Sequence, residues 1–262
     1  MDLDATANIM IRRSIGAMPS TPIPAILESL MTTLTTVLAQ YRTHCASNGA
    51  LNHLILPETL RLLPLYINSF LKKHVLRKEK ATAADLRVAN GIFICSSSLY
   101  TLTAYLYPKL YWLSPYVADE ESQVGLEVEG GHVILPNCQP LLIETLEDTG
   151  LYIVDNGQTI FIVVFNECQI LYEVFGVTTI DEVSNLEEFP MFEEMPANLK
   201  VHAIIGELRK RKSEAYQDLR ILTFRNFPLD SFFDELLIEE ECCGIDGYGN
   251  FLAYLHRLIQ QK

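Results

Sequence analysis

The sequence is poor in the patterns that carry chemistry. Its six cysteines contain no C-x-x-C pair, and the adjacent Cys242 and Cys243 are a bad start for a zinc site, which wants ligands a few residues apart. Neither a G-x-x-x-x-G-K-[ST] loop nor a G-x-G-x-x-G turn occurs, and Gly244, Gly247 and Gly249 have the wrong spacing to cradle a phosphate. There is no G-x-S-x-G elbow and no H-E-x-x-H helix, and the six histidines are scattered. The acidic runs Glu193-Glu194 and Glu239-Glu240-Glu241 lack a D-x-[DN]-x-[DN]-G loop, so they read as solvated faces rather than calcium sites. The start, MDLDATANIM, has no basic segment ahead of an apolar run and is not expected to be a secretory signal. Together these absences argue against an enzyme. The cysteines are expected to be buried thiols of a reducing cytosol.

What is present is a core-forming chain. Of 262 residues, 49% are hydrophobic and 20% charged, 33 acidic against 20 basic, for a net charge of −13. That excludes a disordered tail or a disulfide mini-protein. The charge is unevenly spread. Residues 1–118 hold 11 Lys/Arg against 6 Asp/Glu, a net of +5, and residues 119–262 hold 9 against 27, a net of −18. So acidic a second half would repel phosphates, and no nucleic-acid partner is expected. The longest uncharged stretch, Val88–Pro108, is nearly bilayer length, but its Ser and Thr content favours a buried helical hairpin.

Periodicity changes near position 120. Before it, helical spacing dominates. A first helix capped by Asp2 or Asp4 should run to about Met18, and a second carries Ile26, Leu27, Leu30, Leu34, Val37, Leu38 and Tyr41 on one stripe. A third should open at Pro57-Glu58 and kink at Pro64, and a fourth should start near Thr82. The charged stretch 119–129 is a break. Beyond it, Leu151–Val154 and Thr159–Phe165 read as strands joined at Asn156-Gly157, a hairpin signal. Glu167–Phe175 should be a short helix stopped by Gly176, and Asp181–Pro196 an exposed acidic loop. Ala197–Lys212 reads as a helix burying Val201, Ile204, Ile205 and Leu208, and Leu219–Phe224 as a strand. Pro228–Leu237 reads as a short helix, Leu236–Glu241 as a possible edge strand, and Tyr248 to Ile259 as an amphipathic last helix. The expected fold class is α+β. An all-helical domain (1–118) precedes a mixed-sheet domain (125–245), and a C-terminal helix (246–262) docks on one of them.

One cluster stands out in so acidic a chain: Lys72, Lys73, Arg77, Lys78 and Lys80. Such a cluster attracts anionic lipid headgroups, with roughly 1 kcal/mol per cation near a charged bilayer. These five residues are the candidate membrane-surface contact. No catalytic, cofactor-binding or metal-binding residue is expected.

Several strings, in order, resemble one family. Leu56-Pro57-Glu58-Thr59-Leu60-Arg61-Leu62-Leu63-Pro64-Leu65-Tyr66 is the most specific. Asp2-Leu3-Asp4-Ala5, Leu106-Tyr107-Pro108-Lys109-Leu110-Tyr111, the stretch Gly150–Gln158, Ala203–Arg211 and Phe251–Gln260 support it. Together they look like the C-terminal part of the cargo-adaptor subunit of the COPII vesicle coat. The resemblance implies a helical domain followed by a gelsolin-like domain, with a non-enzymatic role in endoplasmic-reticulum-to-Golgi transport. It also implies a cytoplasmic location, peripheral on the endoplasmic reticulum membrane and COPII vesicles. The implied partners are the partner coat subunit, the cytosolic tails of cargo membrane proteins and the anionic membrane surface. Zinc is implied only in the family's N-terminal finger, which this chain lacks; starting at Met1 inside the helical domain, it is expected to be a fragment, an engineered piece or a shortened relative. Two alternatives come from other classes. One is the coat's GTPase-activating sister subunit, for which Arg225 is the arginine to test. The other is a gelsolin-type protein that binds actin or calcium, although fold analogy alone is a weak warrant for it.

Overall fold

The computed structural model describes residues 2–45, 54, 56–77, 82–117, 119–165, 170–211, 217–223, 236–242 and 244–261. The chain divides into two compact units. One joins Met1–Leu106 to Ile238–Lys262, and the other is Tyr107–Leu237.

The first unit is helical. Helix α1 (Leu3–Ala17) starts where the Asp2 carboxylate accepts from the Ala5 N–H at 3.0 Å, an N-cap bond. Helix α2 (Ile23–Cys45) buries Ile26, Leu30, Leu34 and Leu38 at spacings of four and packs on α1. By length and composition α2 could also cross a membrane, with a mean hydropathy of 1.2 over Ile23–His44. The expected third helix is two elements, a 3-10 turn over Glu58–Leu60 and then α3 (Leu63–Lys72). Pro64 sits in the first turn of α3, where its missing N–H has no intrahelical partner to lose, so it starts the helix rather than kinking one. Every residue of α3 is buried. It is the central helix of the unit, and burial of Ile67 and Phe70 stabilises it by about 1.5–3 kcal/mol each.

Helix α4 (Ala84–Ser96) and α5 (Leu99–Leu106) divide the uncharged stretch. The break lies at Ser97, whose backbone is extended, and the Ser98 hydroxyl accepts from the Thr101 N–H to start α5. This pair is not wholly buried, because Val88 and Ile92 on α4 are 60% and 64% exposed. Against α1, Gly91 lies where a side chain would meet Ile15 at 3.5 Å, so the two helices approach closely there.

The second unit begins earlier than its composition suggests. Strand β1 (Lys109–Trp112) already belongs to its sheet, so the helical part closes at Leu106 rather than at 118. A four-residue turn α6 (Ser114–Val117) and a small hairpin, β2 (Glu127–Val128) with β3 (His132–Val133), precede β4 (Cys138–Gln139). Strands β5 (Leu151–Asp155) and β6 (Thr159–Val164) form the expected hairpin, in register Ile153↔Ile162, with Gly157 at φ +80° in its turn. Helices α7 (Leu171–Phe175), α8 (Ile180–Ser184) and α9 (Pro196–Lys210) then cross over to β7 (Asp218–Thr223). The sheet order is β4-β1-β5-β6-β7, antiparallel except for the parallel β6–β7 pair that this helical crossover permits. Leu151, Ile153, Ile160 and Ile162 share one core with Val174 and Phe175 of α7, Val183 of α8, and Val201, Ile204 and Leu208 of α9.

The region expected to be an acidic loop is partly built. Thr179 and Glu182 form a reciprocal capping box that nucleates α8. The buried Asn198 amide then fixes the following segment, donating to Val174 O at 2.7 Å and Pro190 O at 2.9 Å while accepting from the Phe192 N–H at 2.9 Å. Of the expected helix over Pro228–Leu237, residues 228–235 lie outside the described residues. The stretch Leu236–Glu241 forms no strand. The chain instead turns through a Cys242–Ile245 bridge into helix α10 (Tyr248–Gln260), which docks on α2 and α3 through Phe251, Leu255 and Ile259.

Gly176 ends α7 at φ +70°, and a Cβ there would lie 2.6 Å from the Phe192 ring. Gly176→Ala is expected to destabilise the second unit by about 1–2 kcal/mol, from backbone strain plus displacement of the ring. Urea unfolding followed through Trp112, the only tryptophan and a residue of this sheet, measures it.

Candidate functional site

The basic segment lies at the C-terminal end of α3, where unpaired helix carbonyls and the negative end of the helix dipole favour cations. Because α3 is buried on every side, a cation in its last turn cannot reach water. Lys72 is 3% exposed, and its ammonium donates to Ile238 O and Glu240 O at 2.6 Å each. Arg77 is 8% exposed, and its Nε donates to the Lys72 carbonyl at 2.7 Å. Arg87 on α4 closes the arrangement, donating to Val75 O at 3.2 Å and Arg77 O at 2.6 Å. Lys73 is half-buried with its ammonium 4.6 Å from the centroid of the Tyr105 ring, a cation–π contact.

This corrects the membrane-contact expectation for Lys72 and Arg77. Both cations are solvated by backbone carbonyls inside the unit, and neither can meet a headgroup. Lys78 and Lys80 lie outside the described residues, as does Arg225. What the arrangement does is mechanical. Lys72 fastens the returning segment Ile238–Glu240 to α3, Arg77 ties the loop after α3 back to the end of that helix, and Arg87 fastens the same loop to α4.

The second unit has a parallel arrangement along α9. Lys200 is 6% exposed and donates to Asp119 O at 2.6 Å, Ser122 O at 3.2 Å and Tyr116 O at 3.4 Å, pinning the charged break onto the helix. Two turns further on, the Glu207 carboxylate accepts from the Val133 N–H at 3.3 Å and lies 3.4 Å from both His132 Nδ1 and Arg211 Nε. Burial opposes its ionisation, but the Val133, His132 and Arg211 contacts outweigh this and hold the carboxyl below the usual glutamate range. In the helical unit, burial pushes the Tyr66 phenol up to about 12, with Asp4 adding repulsion. Lys200, Glu207 and Asn198 were not singled out in the sequence. Their signal was there: seven-residue spacing puts 200 and 207 at one edge of the Val201–Ile204–Leu208 stripe.

Among the described residues, no three His, Cys, Asp or Glu side chains come together as a metal site. Cys95 and Cys138 are exposed rather than buried, and Cys242 is buried. Nothing in either polar arrangement pairs a nucleophile with a base. Both brace backbone.

The fold defines the class, a helical domain followed by a gelsolin-like domain. The family model described as "Sec23/Sec24 helical domain" matches residues 2–103, and the gelsolin-repeat model matches residues 132–205. The chain carries a Sec23/Sec24 helical domain and a gelsolin-repeat domain, and it is similar to Sec24 proteins over its whole length. It is 26% identical to the human protein transport protein Sec24C over 99% of this chain and 23% of that protein. It is 27% identical to SEC24 B of Arabidopsis thaliana over 100% of this chain, again 23% of that protein. The crystal structure of the human COPII-coat protein Sec24c superposes with a TM-score of 0.82 at 26% identity, covering 100% of this chain and 32% of that one. The chain thus spans about a quarter of the length of these relatives.

Two tests follow from the braces. Lys72→Met removes the donor to the buried Ile238 carbonyl and to the part-buried Glu240 carbonyl, so it is expected to destabilise the helical unit by about 2–4 kcal/mol. Its affinity for phosphatidylserine vesicles should stay unchanged. Thermal melting by circular dichroism and vesicle sedimentation measure the two, and weakened sedimentation with unaltered melting would restore the membrane role. Glu207→Gln is expected to cost the second unit about 1 kcal/mol at neutral pH. The carboxyl's depressed folded value makes its contribution present above the unfolded glutamate range and lost as pH falls through the folded value. The gap between wild type and variant should therefore close on acidification, in urea titrations read through Trp112 fluorescence.

Proposed function

We propose that this chain serves as the C-terminal scaffold of a COPII cargo-adaptor subunit in endoplasmic-reticulum-to-Golgi transport. The observation that carries this reading is the match of both domains, in order and over the whole chain, to the human COPII-coat protein Sec24c. The role is non-enzymatic. Buried polar groups brace the backbone of each unit, as a scaffold requires. Its partners are the other coat subunit and, through the whole adaptor, the cytosolic tails of cargo proteins. It works in the cytoplasm, peripheral on the endoplasmic reticulum membrane and on vesicles. We assign membrane attachment to the coat as a whole, since Lys72 and Arg77 face inward. The relatives reported above are Sec24 proteins, which favours the adaptor over its GTPase-activating sister. A single gelsolin repeat beside a helical domain also fits a coat subunit better than an actin-severing array.

The test is a chimera in which this chain replaces the matching C-terminal region of human Sec24C. Purified with its coat partners, the chimera should support vesicle budding from endoplasmic reticulum membranes at a level comparable to Sec24C. A folded chimera that joins the coat but yields no vesicles, or that is not incorporated at all, would overturn the proposal.

A further inference from the structure

In the helical unit, α2 and α10 line two adjoining depressions, of about 610 and 250 Å³. They share Leu27, Met31 and Tyr254, so they form one groove with a common apolar middle. One end carries Glu28 on α2, and the other carries Asp246 in the turn before α10. Both carboxylates are exposed, and neither makes an ion pair among the described residues. Among the described residues, no lysine or arginine lines either depression.

We infer that this groove docks a short basic–apolar peptide segment of a partner protein, with one or two apolar side chains on the Met31–Tyr254 floor and a Lys or Arg toward each carboxylate. Charge complementarity selects the occupant. An acidic segment would meet Glu28 and Asp246 with no compensating cation among the described lining residues, while a wholly apolar one would leave both carboxylates partly desolvated and unpaired. The floor suits an apolar anchor. Methionine adapts its shape to varied partners, and tyrosine offers broad contact area with few rotatable bonds. The walls are pre-formed, since Phe251 is buried in the unit and the reciprocal Cys242–Ile245 backbone bonds, at 3.1 and 2.9 Å, hold the turn that carries Asp246. The groove lies wholly within the helical unit and does not depend on the coat role.

The test uses the full 262-residue chain and two fluorescein-labelled hexapeptides, Lys-Lys-Leu-Leu-Lys-Lys and Glu-Glu-Leu-Leu-Glu-Glu, in fluorescence polarisation. The basic peptide should bind, more weakly as salt rises, and the acidic one should not. The double variant Glu28→Lys/Asp246→Lys should lose about tenfold or more in affinity. The control Glu193→Lys/Glu194→Lys, which makes the same charge change on exposed acids of the other unit, should lose less than about twofold. Tyr254→Ala should weaken binding without altering the circular dichroism spectrum. Equal losses in the two charge variants would mean only general attraction to an acidic protein and would overturn the inference. So would equal binding of both peptides, or a groove covered by a second copy of the chain in sedimentation runs.

Discussion

The helical unit depends on one buried ammonium. Its core is made from two stretches far apart in sequence, and the second stretch must be brought back against α3 after the whole sheet unit has intervened. Phe251, Leu255 and Ile259 supply the apolar part of that return, but apolar burial has no direction. Lys72 supplies the direction. Its ammonium is buried among groups that would otherwise leave it unsolvated, and the carbonyls of Ile238 and Glu240 replace its water at 2.6 Å. The stake is symmetric, since the carbonyls need a donor as much as the cation needs acceptors. A contact that is costly to leave half-made specifies one register of the returning chain, where a greasy surface would tolerate several.

The same device appears in the sheet unit. Lys200 gathers three carbonyls of the segment between α6 and β2, and Glu207 accepts from the β3 backbone. Both sit at the edge of the apolar stripe by which α9 covers the sheet. Asn198, one turn in, does the equivalent work for the segment around Pro190 with a neutral amide. Helix α9 is thus an apolar lid for the sheet and a rack of polar anchors for irregular backbone. That division explains how 2-residue strands and long connections stay in place beside a five-stranded sheet.

Much of this was legible in the sequence. The α2 stripe, the Asn156-Gly157 hairpin, the Gly176 stop, α9 and α10 each rest on a local periodicity or a backbone-permissive residue, and local signals survive without tertiary context. The misplaced features depend on partners. Pro64 looked like a kink because the break before Leu63 is not encoded by any strong stop. Ile180–Ser184 was hidden in acidic sequence, although Thr179 and Glu182 carry the capping-box pattern. The domain limit drifted because β1 is four residues long and pairs with strands some thirty and forty residues later. The candidate site was the least legible, since a run of lysines reads the same whether it faces water or carbonyls.

What would have separated those cases is the helix that carries the run. A helix with one polar face presents its terminal cations to solvent, and a helix with none cannot. The residues Leu63 to Leu71 include no charge and no polar stripe, only Asn68 and Ser69 set among apolar neighbours, so α3 had to be central. A lysine completing its last turn then had to be buried, and a buried ammonium had to find oxygen. The basic character of the first half is therefore spent in part on holding the unit together. Among the described residues, the groove between α2 and α10 is lined instead by carboxylates and apolar side chains, drawn from both ends of the chain.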